Sequence, residues 1–489
     1  MWFDESVVYQ IYPLGLCGAP REHDGNLAHR ILRILDWIPH IQSTGADTVL
    51  LNPLWESDRH GYDTRDYNAV DCRLGTWEDL RRVCQALHAA GLRVMLDGVF
   101  NHVGRGFWAF RDVQEKKWDS PYRDWFHLSF DGDTGYHDGF WYEAWEGHYE
   151  LVKLNLQNPA VVQHQLDAIS RWVRELDIDG LRLDVAYCLP DWYLRQLRSF
   201  TSRLKPDFVL LGETLHGDYN QWMGPELCHS VTNYECYKGL WSSFNSRNMF
   251  EIGHSLARQF GPEPWTLYKG KHLLSFLDNH DVERIASILH ESRHLPLAYG
   301  LLFGMPGVPA LYYGSEWGIQ GRKADGDNAL RPALDQPEWN DLTGWIACLA
   351  QARRKSPALC YGSYRNVHLT NRQIIFERAL PEERVLVAVN ADSAPYTVHF
   401  DAGAGRAEDL ITGAPHDFGG GSHGCIKFLL DVRVSLRDQQ RDAELRIAHA
   451  VLRCTGCHEV AVGQAAFGGE HSFRIILIHN SFLHKIHSV

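Results

Sequence analysis

A chain of 489 residues is too long for one simple domain and long enough for a barrel with an appended domain. Hydrophobic residues at 45% and charged residues at 22% are the balance of a soluble globular protein, and no apolar stretch approaches the length needed to span a bilayer. The net charge of −13 argues against nucleic acid, whose partners cluster Lys and Arg, and suits a neutral ligand. Aromatic residues reach 12%, with 17 Trp and 20 Tyr. Most of those rings belong in a core, but sugars bind on flat apolar faces, so some can line a cleft.

The opening MWFDESVVYQIYP has no basic start followed by a long apolar run, so a secretion signal is not expected and a cytoplasmic location is. The 11 Cys, an odd number at irregular spacing, fit reduced thiols better than a disulfide framework. Cys454 and Cys457 form a lone CxxC beside His458; a zinc site would want a second pair, and only Cys425 is near in sequence.

In chain order, apolar β-branched runs fall at residues 6–12, 47–52, 93–99, 180–185, 208–213, 230–234, 273–277 and 309–313. Helical patterns lie between most of them, as at 77–90 and 160–176. That alternation predicts an α/β fold, a (β/α)8 barrel over 1–102 and 151–360. Residues 103–150, rich in Trp, Tyr, His, Asp and Gly without a clear period, read as an insertion after the third strand, where barrels build their sites. After a last helix near 338–355, short alternating runs such as 373–378 and 385–390 predict a C-terminal antiparallel β-sandwich over 361–430. Residues 431–489 form an extension of unknown structure, and its stretch 431–454 suits helix and strand alike.

Four short stretches carry the chemistry: DGVFNH at 97–102, GLRLDVAY at 180–187, GET at 212–214 and FLDNHD at 276–281. Each places carboxylates, an Arg or a His just after an apolar run. A parallel barrel brings such strand ends around one mouth. Asp184, Glu213 and Asp281 are then the number of carboxylates a sugar-cleaving site wants. Retaining hydrolysis uses one carboxylate as nucleophile and one protonated acid about 5–5.5 Å away. Arg182 stands two residues before Asp184, on the same face of a strand, where its cation would keep Asp184 ionised. Taken alone, the two could equally be a structural ion pair.

These stretches resemble the four signature regions of the α-amylase superfamily (glycoside hydrolase family 13). Supporting matches are GADTVLLNPL at 45–54, HGYDTRDY at 60–67, LVKLN at 151–155 and GVPALYYG at 307–314, so the resemblance spans about residues 7–420. It implies Asp184 as nucleophile, Glu213 as acid/base and Asp281 as the third carboxylate, holding hydroxyls of the distorted sugar. It further implies sugar contacts from His102 and His280, a stacking ring from Tyr62, a substrate-side Arg331 in DNALRP, and Asp97 as support for Arg182. LVKLN resembles the MPKLN of the neopullulanase, cyclomaltodextrinase and maltogenic amylase group. That group usually carries an N-terminal domain that shapes a dimeric site. Here the first strand starts within ten residues, which leaves no room for one, and the oligomeric state stays open.

Asn101 matches a position that binds structural calcium in many α-amylases, but DVAYC after the nucleophile lacks the partner basic residue and His. Calcium wants several oxygen ligands, so neither the conventional calcium site nor any cofactor is expected. The reading is a retaining hydrolase of α-1,4 bonds in short maltooligosaccharides or cyclodextrins, with α-1,6 cleavage or transfer open. Its partner is an oligosaccharide, with no nucleic acid and no membrane. The alternatives are an α-amylase on longer starch chains, a glucosyl-transferring or trehalose-forming member, and a catalytically silent binding homologue. Silent members typically lose the carboxylates, and here all are present.

Overall fold

The computed structural model describes residues 1–418, 423–428 and 472–478. Eight parallel strands make the barrel: β1 (Val8–Ile11), β2 (Thr48–Leu51), β3 (Arg93–Gly98), β4 (Gly180–Leu183), β5 (Val209–Gly212), β6 (Ser230–Val231), β7 (Leu274–Phe276) and β8 (Val308–Tyr312). Their spatial order is β6-β5-β4-β3-β2-β1-β8-β7. A parallel bridge between Thr232 and Leu274 spans the remaining seam, with Asn233 N–H donating to the Leu274 carbonyl at 2.8 Å. These are the eight runs the sequence marked. Both faces of the strands are covered, which is why they read as near-continuous apolar text.

Inside the ring, Val8, Leu50, Met95, Val209, Leu211, Leu274, Phe276, Val308 and Ala310 pack into a buried plug with Phe3. Successive residues of a strand face opposite sides, so the next inward position lies two residues on. Two residues beyond Val8, Leu50, Met95 and Leu211 stand Gln10, Asn52, Asp97 and Glu213. A polar layer therefore sits on the apolar plug at the carboxyl ends of the strands. The β3–β4 register puts Arg182 directly opposite Asp97.

The flanking helices start where local chemistry tells them to. Trp77–Ala89 opens on a reciprocal cap, Thr76 with Asp79, and Pro159–Leu176 opens on Asn158 with Pro in its first turn. The insertion builds its own small core. Phe110 packs edge-on against Phe126, Phe140 and Tyr142, and strands His102–Gly104, His148–Lys153 and Ala144–Trp145 form a three-stranded sheet over it.

The chain divides into two compact units, and all of the barrel strands lie in the first (Met1–Lys238, Lys271–Ile288, Gly307–Ala350). The second holds a C-terminal sheet: β9 (Ser363–Leu369), β10 (Gln373–Ala379), β11 (Glu383–Asn390), β12 (Tyr396–Asp401), β13 (Arg406–Asp409), β14 (Pro415–Asp417), β15 (His423–Phe428) and β16 (Ser472–Ile478). The main sheet runs β9-β10-β11-β16-β13-β14, and β12 pairs with β15 in a second layer. Strand β16 comes from the stretch that the sequence left without structure, and it is parallel to both neighbours. Cys454, Cys457, His458 and the side chain of Cys425 lie outside the described residues. Among the described residues no helix is long and apolar enough to cross a membrane.

Candidate active site

One guanidinium organises the mouth of the barrel. Arg182 Nη1 donates to both Asp97 oxygens at 2.9 and 2.7 Å and to Asp184 Oδ1 at 3.0 Å. Its Nη2 lies 2.8 Å from Glu213 Oε1. All four side chains are buried. The spacing in sequence suggested Arg182 as partner of Asp184; the structure shows it shared with Glu213 too, so the two carboxyls stand within the span of one guanidinium.

The backbone adds a second link. Val185, just after Asp184, has φ +40°, a left-handed conformation costly for a β-branched residue. The turn aims its N–H at Glu213 Oε2, 2.9 Å away. Burial raises the Asp184 and Glu213 carboxyls above the ordinary carboxylate range, against the pull of Arg182. Glu213 raises Asp184 further, and Asp281 does the same to Glu213. Burial also acts to raise Asp281, but His280, Arg331 and Arg182 outweigh it and hold that carboxyl well below its ordinary range.

Asp281 accepts from Arg331 Nη2 at 2.9 Å, and its other oxygen lies 3.0 Å from His280 Nε2. Arg331 Nε–H donates to the His280 carbonyl at 3.0 Å, and its guanidinium lies over the Tyr12 ring. The His280 ring is held between Tyr62, with centroids 5.5 Å apart and planes 7° from parallel, and Tyr12, at 5.9 Å and 12°. The Tyr62 hydroxyl contacts His280 Nε2 and donates to Asp97 Oδ2 at 3.1 Å.

His102 is deeply buried, and burial, with His60 adding to it, pushes its imidazole down to about 3, so the ring is neutral. Asn101 Nδ2–H donates to its Nδ1 at 3.2 Å, which leaves the ring proton on Nε2. That Nε2 is buried with no hydrogen-bond partner among the described residues, 3.7 Å from Asp184 Oδ2. Trp145, from the insertion, packs its ring beside His102, and Glu146 accepts from the Tyr187 hydroxyl at 3.2 Å.

The structure thus brings Asp97, Asp184, Glu213, Asp281, Tyr62, His102, Arg182, His280 and Arg331 to one place. Three further members escaped the sequence reading. Asn52 donates to Asp97 Oδ2 at 3.0 Å and to the Tyr62 hydroxyl at 3.2 Å. Gln10 bridges Asn52 Oδ1 at 2.8 Å and His280 Nδ1 at 3.1 Å. Tyr12 is the third, beneath His280. For Gln10 and Asn52 a signal existed: each is the polar residue two positions beyond an inward apolar one.

A family model described as "Alpha amylase, catalytic domain" matches residues 10–342. The chain is 28% identical to a cyclomaltodextrinase from a Bacillus species over 81% of this chain and 74% of that one. It is 29% identical to neopullulanase 2 of Thermoactinomyces vulgaris over 84% and 74%. Among solved structures it resembles the cyclic α-maltosyl-(1→6)-maltose hydrolase of Arthrobacter globiformis in complex with that cyclic sugar. The TM-score is 0.73 at 27% identity, over 87% of this chain and 99% of that one.

Proposed function

We propose that this chain, which belongs to the α-amylase family of glycoside hydrolases, cleaves α-1,4 bonds of short maltooligosaccharides or cyclic α-glucans with retention of configuration. The observation that carries the reading is Arg182 holding Asp184 and Glu213 together at the barrel mouth. In the first step an Asp184 oxygen attacks the anomeric carbon. The glycosidic C–O bond breaks, and Glu213 gives its proton to the departing oxygen. In the second step Glu213 takes a proton from water, whose oxygen displaces Asp184 and restores the α anomer. Two crowded, buried carboxyls share protons as a pair, which suits one being charged while the other is protonated.

The remaining residues receive the sugar. The unpartnered Nε2–H of His102 is a donor waiting for an acceptor, the role a sugar hydroxyl fills. Asp281, ionised by His280 and Arg331, offers two oxygens to hydroxyls on the other side. Tyr62 presents an aromatic face beside them, fixed by its stack on His280. Calcium takes no part in this reading, because DVAYC after Asp184 lacks the basic residue and His that would complete a site with Asn101. Adding calcium to chelator-treated protein is expected to leave the melting temperature unchanged.

Proton NMR of the first product from maltotriose, read before mutarotation, tests the chemistry. An initial α anomer supports it, while a β anomer means that Asp184 is not the nucleophile. No turnover at all favours the silent homologue. Among enzymes, product profiles from maltoheptaose, β-cyclodextrin, pullulan and a cyclic maltosyl-maltose separate the proposed substrates from longer starch chains and from glucosyl transfer.

A further inference from the structure

Away from the Arg182 network, three donors of different chemistry meet at the base of the loop that carries Tyr62. His23 comes from the loop after β1, Glu56 from the hairpin strand Trp55–Ser57, and Cys72 from the turn after its partner strand, Thr64–Val70. One ligand atom from each lies within 4.8 Å of the others. His23 Nε2 contacts Glu56 Oε1, and Cys72 Sγ lies 3.4 Å from the same nitrogen.

In that convergence a single imidazole nitrogen faces both Glu56 and Cys72. A neutral imidazole nitrogen either carries a proton or offers a lone pair. If Nε2–H donates to Glu56, the Cys72 sulfur is at most a weak second acceptor. If the thiol donates to Nε2, Glu56 faces a lone pair. A metal ion among the three resolves both, since thiolate, neutral imidazole and carboxylate are the ligand set of zinc. Zinc bonds of about 2.0–2.3 Å place tetrahedral donors roughly 3.3–3.7 Å apart. The S–N separation is already there, and the Glu56 carboxylate must draw back from the imidazole.

The walls are held by other groups. Arg73, fully buried, donates to the Pro20, Arg21 and Arg59 carbonyls at 3.0, 2.7 and 2.8 Å. It also binds both oxygens of Asp71, at 2.8 and 2.6 Å, and Ser57 Oγ donates to that carboxylate at 2.7 Å. His23 N–H donates to the Asp58 carbonyl at 3.1 Å, and Cys72 N–H to Glu56 Oε2 at 2.8 Å. Apart from that Cys72–Glu56 bond, the three ligand-bearing segments are fixed to one another by partners that are not ligands, the kind of support a metal site requires. His23 and Glu56 keep 17% and 19% of their side-chain surface exposed, which leaves an entry path.

We propose that His23, Glu56 and Cys72 bind a zinc-type divalent cation, with water in the fourth position, clamping the base of the Tyr62 loop. The test uses the full chain, stripped with chelator, in the Cys454→Ser, Cys457→Ser background so that the CxxC contributes nothing. Cobalt(II), used as the probe, is expected to give a thiolate-to-metal charge-transfer band saturating at one ion per chain. Zinc should abolish the band by displacement and raise the melting temperature. Cys72→Ser and His23→Gln should each remove the band, and Cys72→Ser should also remove the zinc-dependent rise. Absence of the band, or a band that survives Cys72→Ser, overturns the proposal.

Discussion

At the scale of residues, the mouth of the barrel is a problem in sharing one buried cation among three carboxylates. Removing the charge of Asp184 still leaves Arg182 with Asp97 and Glu213, so Asp184→Asn should fold normally. Its turnover, and that of Glu213→Gln, should fall by about a thousandfold or more, because each lacks one half of the nucleophile–acid pair. A tenth of wild-type turnover in either purified variant would refute those roles. Asp97 behaves differently. It is Arg182's two-oxygen partner, fully buried, so Asp97→Ala leaves a buried cation short of charge and should cost about 3–5 kcal/mol in denaturant unfolding. Much of this site is legible in sequence, because the four stretches put charged groups straight after apolar runs. Gln10 and Asn52 show there only as polar residues two positions beyond inward apolar ones, and Tyr12 not at all, since a lone amide or ring at a strand end looks the same in any barrel. Their meaning comes from neighbours on β2, β3 and β7 that only the closed ring supplies.

At the scale of elements, the insertion shows why composition alone cannot sort its rings. Trp108, Trp118, Trp125, Trp141, Trp145 and Tyr142 are all candidates to stack under sugar. The structure buries Tyr142 and Trp125, and leaves Trp118 61% and Trp141 37% exposed. Tyr142 packs on Phe110, accepts from Arg105 at 2.6 Å and donates to the Tyr149 carbonyl at 2.7 Å. Tyr142→Ala should therefore lower stability by about 3–5 kcal/mol. Trp118→Ala and Trp141→Ala should leave stability within about 0.5 kcal/mol, so a raised KM in either identifies a sugar platform. If neither moves KM, those rings do not bind substrate. Strand β6 holds a second element-scale device. His229, next to its start, accepts at Nδ1 from Leu210 N–H at 2.9 Å, which a proton would break. Burial, aided by Arg198, pushes its imidazole down to about 3. Below an ordinary pKa of about 6.5 the unfolded chain takes up a proton that the native state refuses. Stability must then fall as pH drops from about 6.5 towards 3, by up to about 1.4 kcal/mol per pH unit. In His229→Asn, whose amide oxygen can still accept from Leu210, that slope should be shallower by the same amount. An unchanged slope would mean the imidazole is protonated in the native state.

At the scale of the molecule, β16 decides whether the chain can be shortened. The sequence carries no motif after residue 430 that calls for keeping it, because FRIILI is a short apolar run whose partners lie far back in the chain. In the structure it is an interior strand. Register pairs Arg384 with Phe473 and Val389 with Ile478 on one side, and Glu408 with Arg474 on the other. Ile475, Ile476 and Ile478 are buried, and Ile475 joins Leu386, Ala388, Val398 and Phe418 in the core of this unit. The fit against the helix Leu295–Gly304 is close enough that a methyl group added at Gly300 would meet Ile478 at 2.3 Å. Removing the strand would leave β11 and β13 with two unpaired edges and an uncovered apolar face, the combination that drives aggregation. Truncation after Leu430 should therefore yield insoluble or unfolded protein. Because such a loss alone could come from other residues of the removed segment, the point substitution Ile476→Asp is the sharper measurement. A buried charge with no partner in the centre of a sheet should lower stability by several kcal/mol in a chain of unchanged length. If Ile476→Asp melts like the parent, and the truncated chain stays soluble, β16 is not part of the folded sheet.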